Sequence, residues 1–179
     1  MLEIAILGLL IEQPLHGYRL KIELEKLMGG CISVNYGAIY PLLRRWQDRG
    51  AIAVFTELEG KGASGRRVYS LTAEGRDLWK QMMLEHPQES WVNARSRFMI
   101  KFCFLSYLTP AERLKLLNHR LMSCVLRLEN EEMVALPVDV YRTTAKQFFK
   151  AILAQEIEWL REQMALIQVE ITENLFDQR

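Results

Sequence analysis

No charge of either sign dominates this chain. Its 23 lysines and arginines stand against 22 aspartates and glutamates, so the formal net charge of the 179 residues is only +1. A balance this close to zero argues against binding of nucleic acid through bulk charge. Any affinity for DNA must therefore come from local clusters of cations.

Cysteine and histidine are scarce, with three of each in the chain. Cys31, Cys103 and Cys124 lie far apart, form no C-x-x-C pair and have no histidine at metal-ligand spacing. This pattern argues against a disulfide framework and is typical of free thiols in a reducing cytoplasm. We therefore expect no metal site and no other cofactor.

Long apolar runs are absent too. The run at residues 4–11 is bracketed by Glu3 and Glu12, whereas a bilayer span takes about 20 apolar residues. The run lacks the basic flank and cleavage site of a signal peptide. Catalytic motifs such as G-x-S-x-G and H-E-x-x-H are missing as well. The sequence therefore indicates a cytoplasmic protein that is not an enzyme and has no membrane partner.

Half of the residues are hydrophobic, and their spacing predicts a mainly α-helical fold with one small β-hairpin. Residues 2–12 are apolar on all sides, which predicts a buried helix, and residues 15–28 predict an amphipathic one. A third helix is predicted over about 35–49, with Pro41 bending its first turn. Its buried stripe is Ile39, Leu42, Leu43 and Trp46.

After the third helix, apolar residues recur at every second position, which predicts a β-hairpin over about 52–71 with a glycine-rich tip. Thr72 is placed to cap the next helix. The tip, residues 60–65, matches G-x-G-x-x-G, but the fingerprint requires a helix immediately afterwards, and R-R-V-Y-S-L follows instead. We therefore interpret the segment as the wing of a winged helix-turn-helix and not as a nucleotide loop.

Such a protein reads bases with small or polar residues at the start of its third helix and holds phosphates with cations. The predicted DNA-binding residues are Asn35, Tyr36, Gly37, Ala38 and Tyr40 near the bases, and Arg44, Arg45, Lys61, Arg66 and Arg67 along the backbone. The alternative is that the tyrosines only pack against neighbouring residues and the arginines only form a solvated face. That alternative would be preferred for an isolated helix, but the cations of the hairpin favour DNA binding.

A polar break at residues 86–88 predicts two domains, a DNA-binding domain at 1–86 and a helical dimerisation domain at 87–179. Three helices are predicted in the second domain. One of them begins at the capping box T-P-A-E, residues 109–112.

Two of these helices carry apolar seams at heptad spacing, which pack by coiled-coil geometry. One alternative is that the seams pack on each other within a chain. The other, which we prefer from sequence, is a dimer interface formed by Leu114, Leu117, Leu121, Leu128, Leu153, Ile157, Leu160, Met164, Ile167 and Ile171.

Three runs carry a resemblance to a known family. They are I-L-G-L-L-I-E-Q-P-L-H-G-Y-R-L, N-Y-G-A-I-Y-P-L-L-R-R-W-Q-D-R-G-A-I and G-R-R-V-Y-S-L-T-A-E-G-R. Over residues 2–80 the chain resembles the PadR family of bacterial winged-helix transcriptional regulators. Through T-P-A-E-R-L and Q-E-I-E-W-L the remainder is similar to the longer, virulence-activator-like members, in which a helical domain makes the dimer.

The resemblance implies that Tyr40 and its neighbours face DNA, that the wing arginines touch the backbone, and that His16, Gly17 and Tyr18 belong to the packing of the first two helices. The family usually represses, and some members respond to phenolic or drug-like ligands. Trp91 and Trp159 are aromatic candidates for a ligand pocket, although aromatics at helical spacing are more often core.

The leading hypothesis is therefore a homodimeric, sequence-specific repressor that binds an inverted repeat in double-stranded DNA. A sensor of the same fold for an aromatic or apolar effector is the first alternative. A winged-helix module that binds proteins instead of specific DNA is the second.

Overall fold

The computed structural model describes residues 1–28, 36–57, 66–133 and 139–176. They form two compact units, Met1–Ser106 and Tyr107–Arg179. As predicted, the fold is mainly helical with a small antiparallel sheet. Within the described ranges, no helix combines the length and the apolar character that a membrane crossing requires.

In the described part of the first unit there are five α-helices and three strands. In chain order these are α1 (Leu2–Glu12), β1 (Leu15–His16), α2 (Gly17–Met28), α3 (Ile39–Asp48), β2 (Ile52–Glu57), β3 (Arg66–Leu71), α4 (Ala73–Leu84) and α5 (Trp91–Cys103), with a 3-10 turn at Tyr36–Ala38 directly before α3.

Helix α1 is the centre of this unit. Every residue from Ile4 to Leu10 is buried, because a helix with apolar side chains on all faces must be covered on all faces. Helices α2, α4 and α5 and strand β3 pack around it. Phe104, which follows α5, packs closely on Gly8, since a Cβ there would lie 2.6 Å from the ring of Phe104.

The sheet has the order β1-β3-β2 and is antiparallel throughout. The predicted hairpin is confirmed: Ile52 pairs with Leu71 and Val54 with Tyr69, which puts the alternating apolar residues on one face. Strand β1 was not predicted. Its two residues were assigned to a helix, but Leu15 pairs with Tyr69 across the sheet.

The end of α3 is joined to the start of α4 through Thr72, whose Oγ1 donates to Gly50 O at 2.8 Å and to Ala51 O at 2.9 Å. Gly50 has φ +73°, and the N–H groups of Gly50 and Ala51 donate to Gln47 O and Trp46 O at 3.0 and 2.9 Å, a Schellman motif. As predicted, Thr72 caps α4, accepting from Gly75 N at 3.0 Å. A Cβ on Gly75 would lie 1.9 Å from Ala51 O, so only glycine fits there.

Helix α5 belongs to the first compact unit. Its Lys101 Nζ donates to the backbone oxygen of Glu85 at 2.5 Å, and Arg97 Nε donates to Glu89 Oε1 at 2.6 Å. These bonds bind α5 to the chain that follows α4. The division between the compact units therefore follows Ser106, later than the domain boundary predicted at residues 86 and 87.

The second unit is a helical hairpin of α6 (Pro110–Met133) and α7 (Val140–Phe176). The predicted capping box is present: Thr109 N donates to Glu112 Oε2 at 3.0 Å, and Glu112 N donates to Thr109 Oγ1 at 3.4 Å. The two helices pack along each other.

The two apolar seams meet inside this hairpin. Of the ten positions assigned to a dimer interface, Leu117, Leu153, Ile157, Leu160 and Ile167 are buried within the single chain, and Leu114, Leu121, Leu128, Met164 and Ile171 are partly buried. Packing within one chain, the first of the two alternatives for the seams, accounts for this burial.

Two ion pairs lock the register of the hairpin. Arg113 Nη1 lies 3.0 Å from Glu170 Oε2. Arg120 donates from Nε to Glu156 Oε1 at 2.7 Å, and the two side chains are only 4% and 7% exposed.

Candidate nucleic-acid interface

Helix α3 presents one apolar face and one polar face. Ile39, Leu43 and Trp46 are buried, as the stripe predicts, and Leu42 is half-buried. The opposite face bears Tyr40, 58% exposed, and Arg44 and Arg45, also exposed. Together with Pro41, Asp48 and Arg49 these residues line a surface concavity of about 560 Å³.

The start of α3 differs from the prediction. The α-helix begins only at Ile39, after the 3-10 turn, so Pro41 lies in its first turn. The N–H groups of a first turn have no partner inside the helix, and the missing N–H of Pro41 breaks no helical bond there. Gly37 is exposed and Ala38 half-buried in the preceding turn, where small residues permit close approach of another backbone.

The ring of Tyr40 is positioned by α2. A Cβ on Gly17, the first residue of α2, would lie 2.9 Å from Tyr40 Cε1, so the absence of a side chain at Gly17 makes room for the tyrosine. Gly17 is buried, and the neighbour that a side chain there would meet belongs to α3. Tyr18, which was expected in the same packing, is instead 71% exposed, because the first turn of α2 turns it outward.

Arg45 is engaged by another helix. Its Nη2 lies 3.0 Å from Glu3 Oε1 in the first turn of α1. The two side chains are 50% and 41% exposed. The described residues offer no such ion pair to Arg44 or Arg49. The three arginines of this face therefore differ in their electrostatic surroundings.

The hairpin supplies the second part of the predicted interface. Arg67 is exposed on β3 and lies opposite Thr56 of β2. Arg66 begins β3 and Tyr36 begins the 3-10 turn, and only the backbone of these two is described. Asn35 and Lys61 lie outside the described residues, so their predicted contacts stay predictions.

Sequence reasoning missed two residues of this surface. Arg49 follows the last residue of α3 and shares the concavity; its position next to Gly50 was the available signal. Glu3 reaches the surface only through the fold, since 42 residues separate it from Arg45.

The residues described contain no group of three or more His, Cys, Asp and Glu side chains that would hold a metal ion. Cys103 is exposed and Cys124 buried, and neither forms a disulfide; Cys31 lies outside the described residues. Helix α3 carries a tyrosine and arginines on one face, packs into the core with the other, and is followed by an antiparallel hairpin. This arrangement places the chain in the winged helix-turn-helix class of DNA-binding proteins.

Known proteins similar to this chain are transcriptional regulators. Residues 6–81 match the model of the transcriptional regulator PadR-like family. The chain is 28% identical over 130 residues, 73% of its own length and 70% of the relative's, to the negative transcriptional regulator PadR of Bacillus subtilis (strain 168). Over residues 6–81 the chain is therefore similar to transcriptional regulators of the PadR-like family.

Solved structures of Bacillus subtilis PadR are among those similar to this chain. The complex with operator DNA is 24% identical, with 93% of this chain and 98% of that chain covered and a TM-score of 0.45. The complex with p-coumaric acid is 23% identical over the same shares of the two chains, with a TM-score of 0.43.

Proposed function

We propose that two copies of this chain bind an inverted repeat in duplex DNA and repress transcription in the cytoplasm. The observation that carries the proposal is the polar face of α3, where Tyr40, Arg44 and Arg49 are exposed in one concavity while the opposite face is anchored in the core. The negative regulator of Bacillus subtilis to which the chain is similar supports repression as the sign of regulation.

In this proposal the start of α3 enters the major groove. Gly37 and Ala38 permit close approach, and Tyr36 and Tyr40 offer hydroxyls to phosphates or ring faces to thymine methyls. Arg44 and Arg49, further along the helix, contact the backbone. Arg66, Arg67 and Lys61 of the hairpin hold phosphates of the adjacent strand.

An inverted repeat requires two copies related by a two-fold axis, with α3 helices about 34–36 Å apart. Helix α7 offers a face for the second copy. Beside the seam covered by α6, it carries a second apolar series at heptad spacing, here called the outer stripe: Tyr141, Ala145, Phe148, Ile152, Trp159, Leu166 and Val169.

Most of the outer stripe is open in the single chain, and only Ile152 and Trp159 of its members are half-buried. Tyr141, Phe148, Leu166 and Val169 are exposed, as is Phe149 beside Phe148. An open groove of about 570 Å³ between α6 and α7, lined in part by Leu128, Ala151 and Ala154, provides holes for side chains of a partner helix. We therefore propose the outer stripe, together with the half-buried seam residues at its edge, as the dimer interface.

Selection from a pool of random duplex DNA tests this function. We expect enrichment of an inverted repeat. Arg66→Ala with Arg67→Ala should weaken binding to every duplex and reduce the slope of log K against log salt by about 0.9 for each phosphate that is no longer neutralised. The matched control is Arg76→Ala with Lys115→Ala, which removes two exposed cations outside α3 and the hairpin.

The same experiment separates the alternatives. A pool without any enriched motif favours a protein-binding module. Equal salt slopes in the wing variant and the control remove the wing from the DNA interface.

An aromatic effector is the remaining part of the proposal. Bacillus subtilis PadR has been solved with p-coumaric acid, and Trp91 and Trp159 are both half-buried here. Titration with p-coumaric acid and other aromatic acids should quench tryptophan fluorescence and weaken binding to the enriched duplex. If neither signal changes with any compound, the sensor hypothesis is rejected.

A further inference from the structure

Glu3 is the acidic residue that the fold brings from α1 to the cationic face of α3. The position of Glu3 is fixed, because the seven residues that follow it in α1 are all buried. Its Oε1 lies 3.0 Å from Arg45 Nη2. A carboxylate from the core helix is therefore held beside a surface that, in the proposed function, faces a chain of phosphates.

We propose that Glu3 limits the affinity of the protein for DNA by holding Arg45 away from phosphate. The inference rests on the proposed function and assigns Arg45 a role different from those of Arg44 and Arg49. The last two contact phosphates directly. Arg45 is already neutralised, and Glu3 adds a negative charge where DNA approaches.

The geometry favours competition over a supporting role. Arg45 lies in the last turn of α3, and its guanidinium reaches Glu3 in the N-terminal turn of α1. The pair is half-exposed on both sides, and ion pairs of this kind are weak. A phosphate is thus able to displace Glu3, but each displacement leaves an unpaired carboxylate next to DNA.

The balance of charge in the whole chain agrees with this arrangement. Because the net charge is only +1, the attraction to DNA depends on a few local cations. Neutralising one arginine per subunit should therefore lower the affinity for DNA measurably. A lower affinity for DNA also makes it easier for an effector to release the protein from its operator.

Glu3→Gln tests the proposal, with Glu12→Gln as the matched control. Glu12 ends the same helix, is exposed and has no ion pair among the described residues. Because both substitutions replace glutamate by glutamine, they change the net charge equally. The probes are a 40-base-pair duplex of random sequence and the enriched duplex from the selection, measured by fluorescence anisotropy across a salt series. Thermal unfolding verifies that both variants fold.

We expect Glu3→Gln to bind both duplexes about three- to ten-fold more tightly than Glu12→Gln, with a salt slope steeper by about 0.9 per subunit. Arg45→Gln alone should change the slope little. Combined with Glu3→Gln, it should abolish the gain.

Three results would overturn the role of Glu3 alone, and a fourth would reject the proposed function as well. Equal binding by the two glutamine variants means that Glu3 exerts no restraint, and weaker binding by Glu3→Gln means that it orients Arg45 toward DNA. A markedly shallower salt slope in Arg45→Gln with Glu3 intact means that Arg45 already contacts phosphate. Failure of the wild-type chain to bind either duplex at low salt rejects the proposed function itself, and the role of Glu3 with it.

Discussion

The two compact units treat their apolar residues differently. In the first, side chains surround α1 on all sides and the large hydrophobic groups left at the surface are scattered, with Tyr40 in the proposed interface. In the second, most of the described exposed hydrophobic groups lie on α7, while Met122 and Leu126 are exposed on α6. A two-helix hairpin buries one seam of each helix, so a second stripe on the same helix has nothing in the hairpin to cover it. The first unit covers its apolar helix by itself, whereas in the second unit the outer stripe is the surface that we propose a second copy covers.

They also treat buried charge differently. Lys101 of the first unit is 3% exposed, donates to a backbone oxygen, and has no ion pair among the described residues. Burial, with a contribution from Arg97, lowers its pKa to about 8. In the second unit, buried Arg120 is matched by the buried carboxylate of Glu156. Removing a buried charge should therefore have opposite effects in the two units.

The largest expected effect is that of Arg120→Met. Loss of the guanidinium leaves the carboxylate of Glu156 buried without its cation, which costs about 3–5 kcal/mol of unfolding free energy. Urea unfolding followed by circular dichroism measures the change.

The double variant Arg120→Met with Glu156→Leu is the control. Because a well-packed apolar pair replaces a buried ion pair at little or no cost, it should recover most of the loss. A single variant as stable as the wild type would show that the pair is dispensable and would remove this contrast between the units.

Local features of the fold were predictable from the sequence. The caps at Thr72 and Thr109 and the stripe of α3 depend on residues within one or two turns of each other, and the structure confirms them. The alternation on both sides of the glycine-rich tip was sufficient for the hairpin.

Features that depend on distant partners were not predictable. Strand β1 is two residues long and exists through its pairing with β3. The heptad spacing predicted that α6 and α7 pack through their apolar seams. The same spacing is compatible with a partner helix in the same chain and with one in a second copy. In the candidate site, the face of α3 followed from periodicity, whereas the pairing of Arg45 with Glu3 required the position of α1.

The outer stripe provides the next test of the comparison. Phe148, 63% exposed, lies within it, so Phe148→Glu should place a charge in the proposed interface and weaken dimerisation about 30-fold or more, as loss of a central aromatic anchor does. Sedimentation at micromolar concentration should show a dimer for the wild type and mostly monomer for the variant, with unchanged helix content.

Gln147→Glu is the matched control, since it adds the same charge at the adjacent, exposed position outside the stripe. It should remain dimeric. A dimeric Phe148→Glu variant would return the interface to the half-buried seam residues, such as Leu121 and Leu128. A monomeric wild type would contradict both assignments and make the second unit as self-sufficient as the first.

The smallest effect is expected at Lys101. There, unlike at Arg120, removal of the buried charge should not lower the free energy of unfolding. The lysine faces the Met1 amine and Arg97 as well as the acidic residues Glu85 and Glu89. Its pKa is about 8 in the folded chain and 10.5 in the unfolded one, so between these values the unfolded chain binds the extra proton. Stability should therefore rise with pH through this window, by about 1–2 kcal/mol after allowance for solvent screening.

Lys101→Met should abolish that rise, while Lys115→Met, at an exposed position, should preserve it. At pH 7 the charged lysine carries its full desolvation penalty, so Lys101→Met should be no less stable than the wild type, in contrast to Arg120→Met. Urea midpoints at pH 7 and pH 10 for the three chains measure both expectations. A rise that persists in Lys101→Met would assign the titration to another group. A marked loss of stability at pH 7 would mean that the bond to the Glu85 oxygen outweighs the cost of burying the charge, and that both units depend on their buried cations.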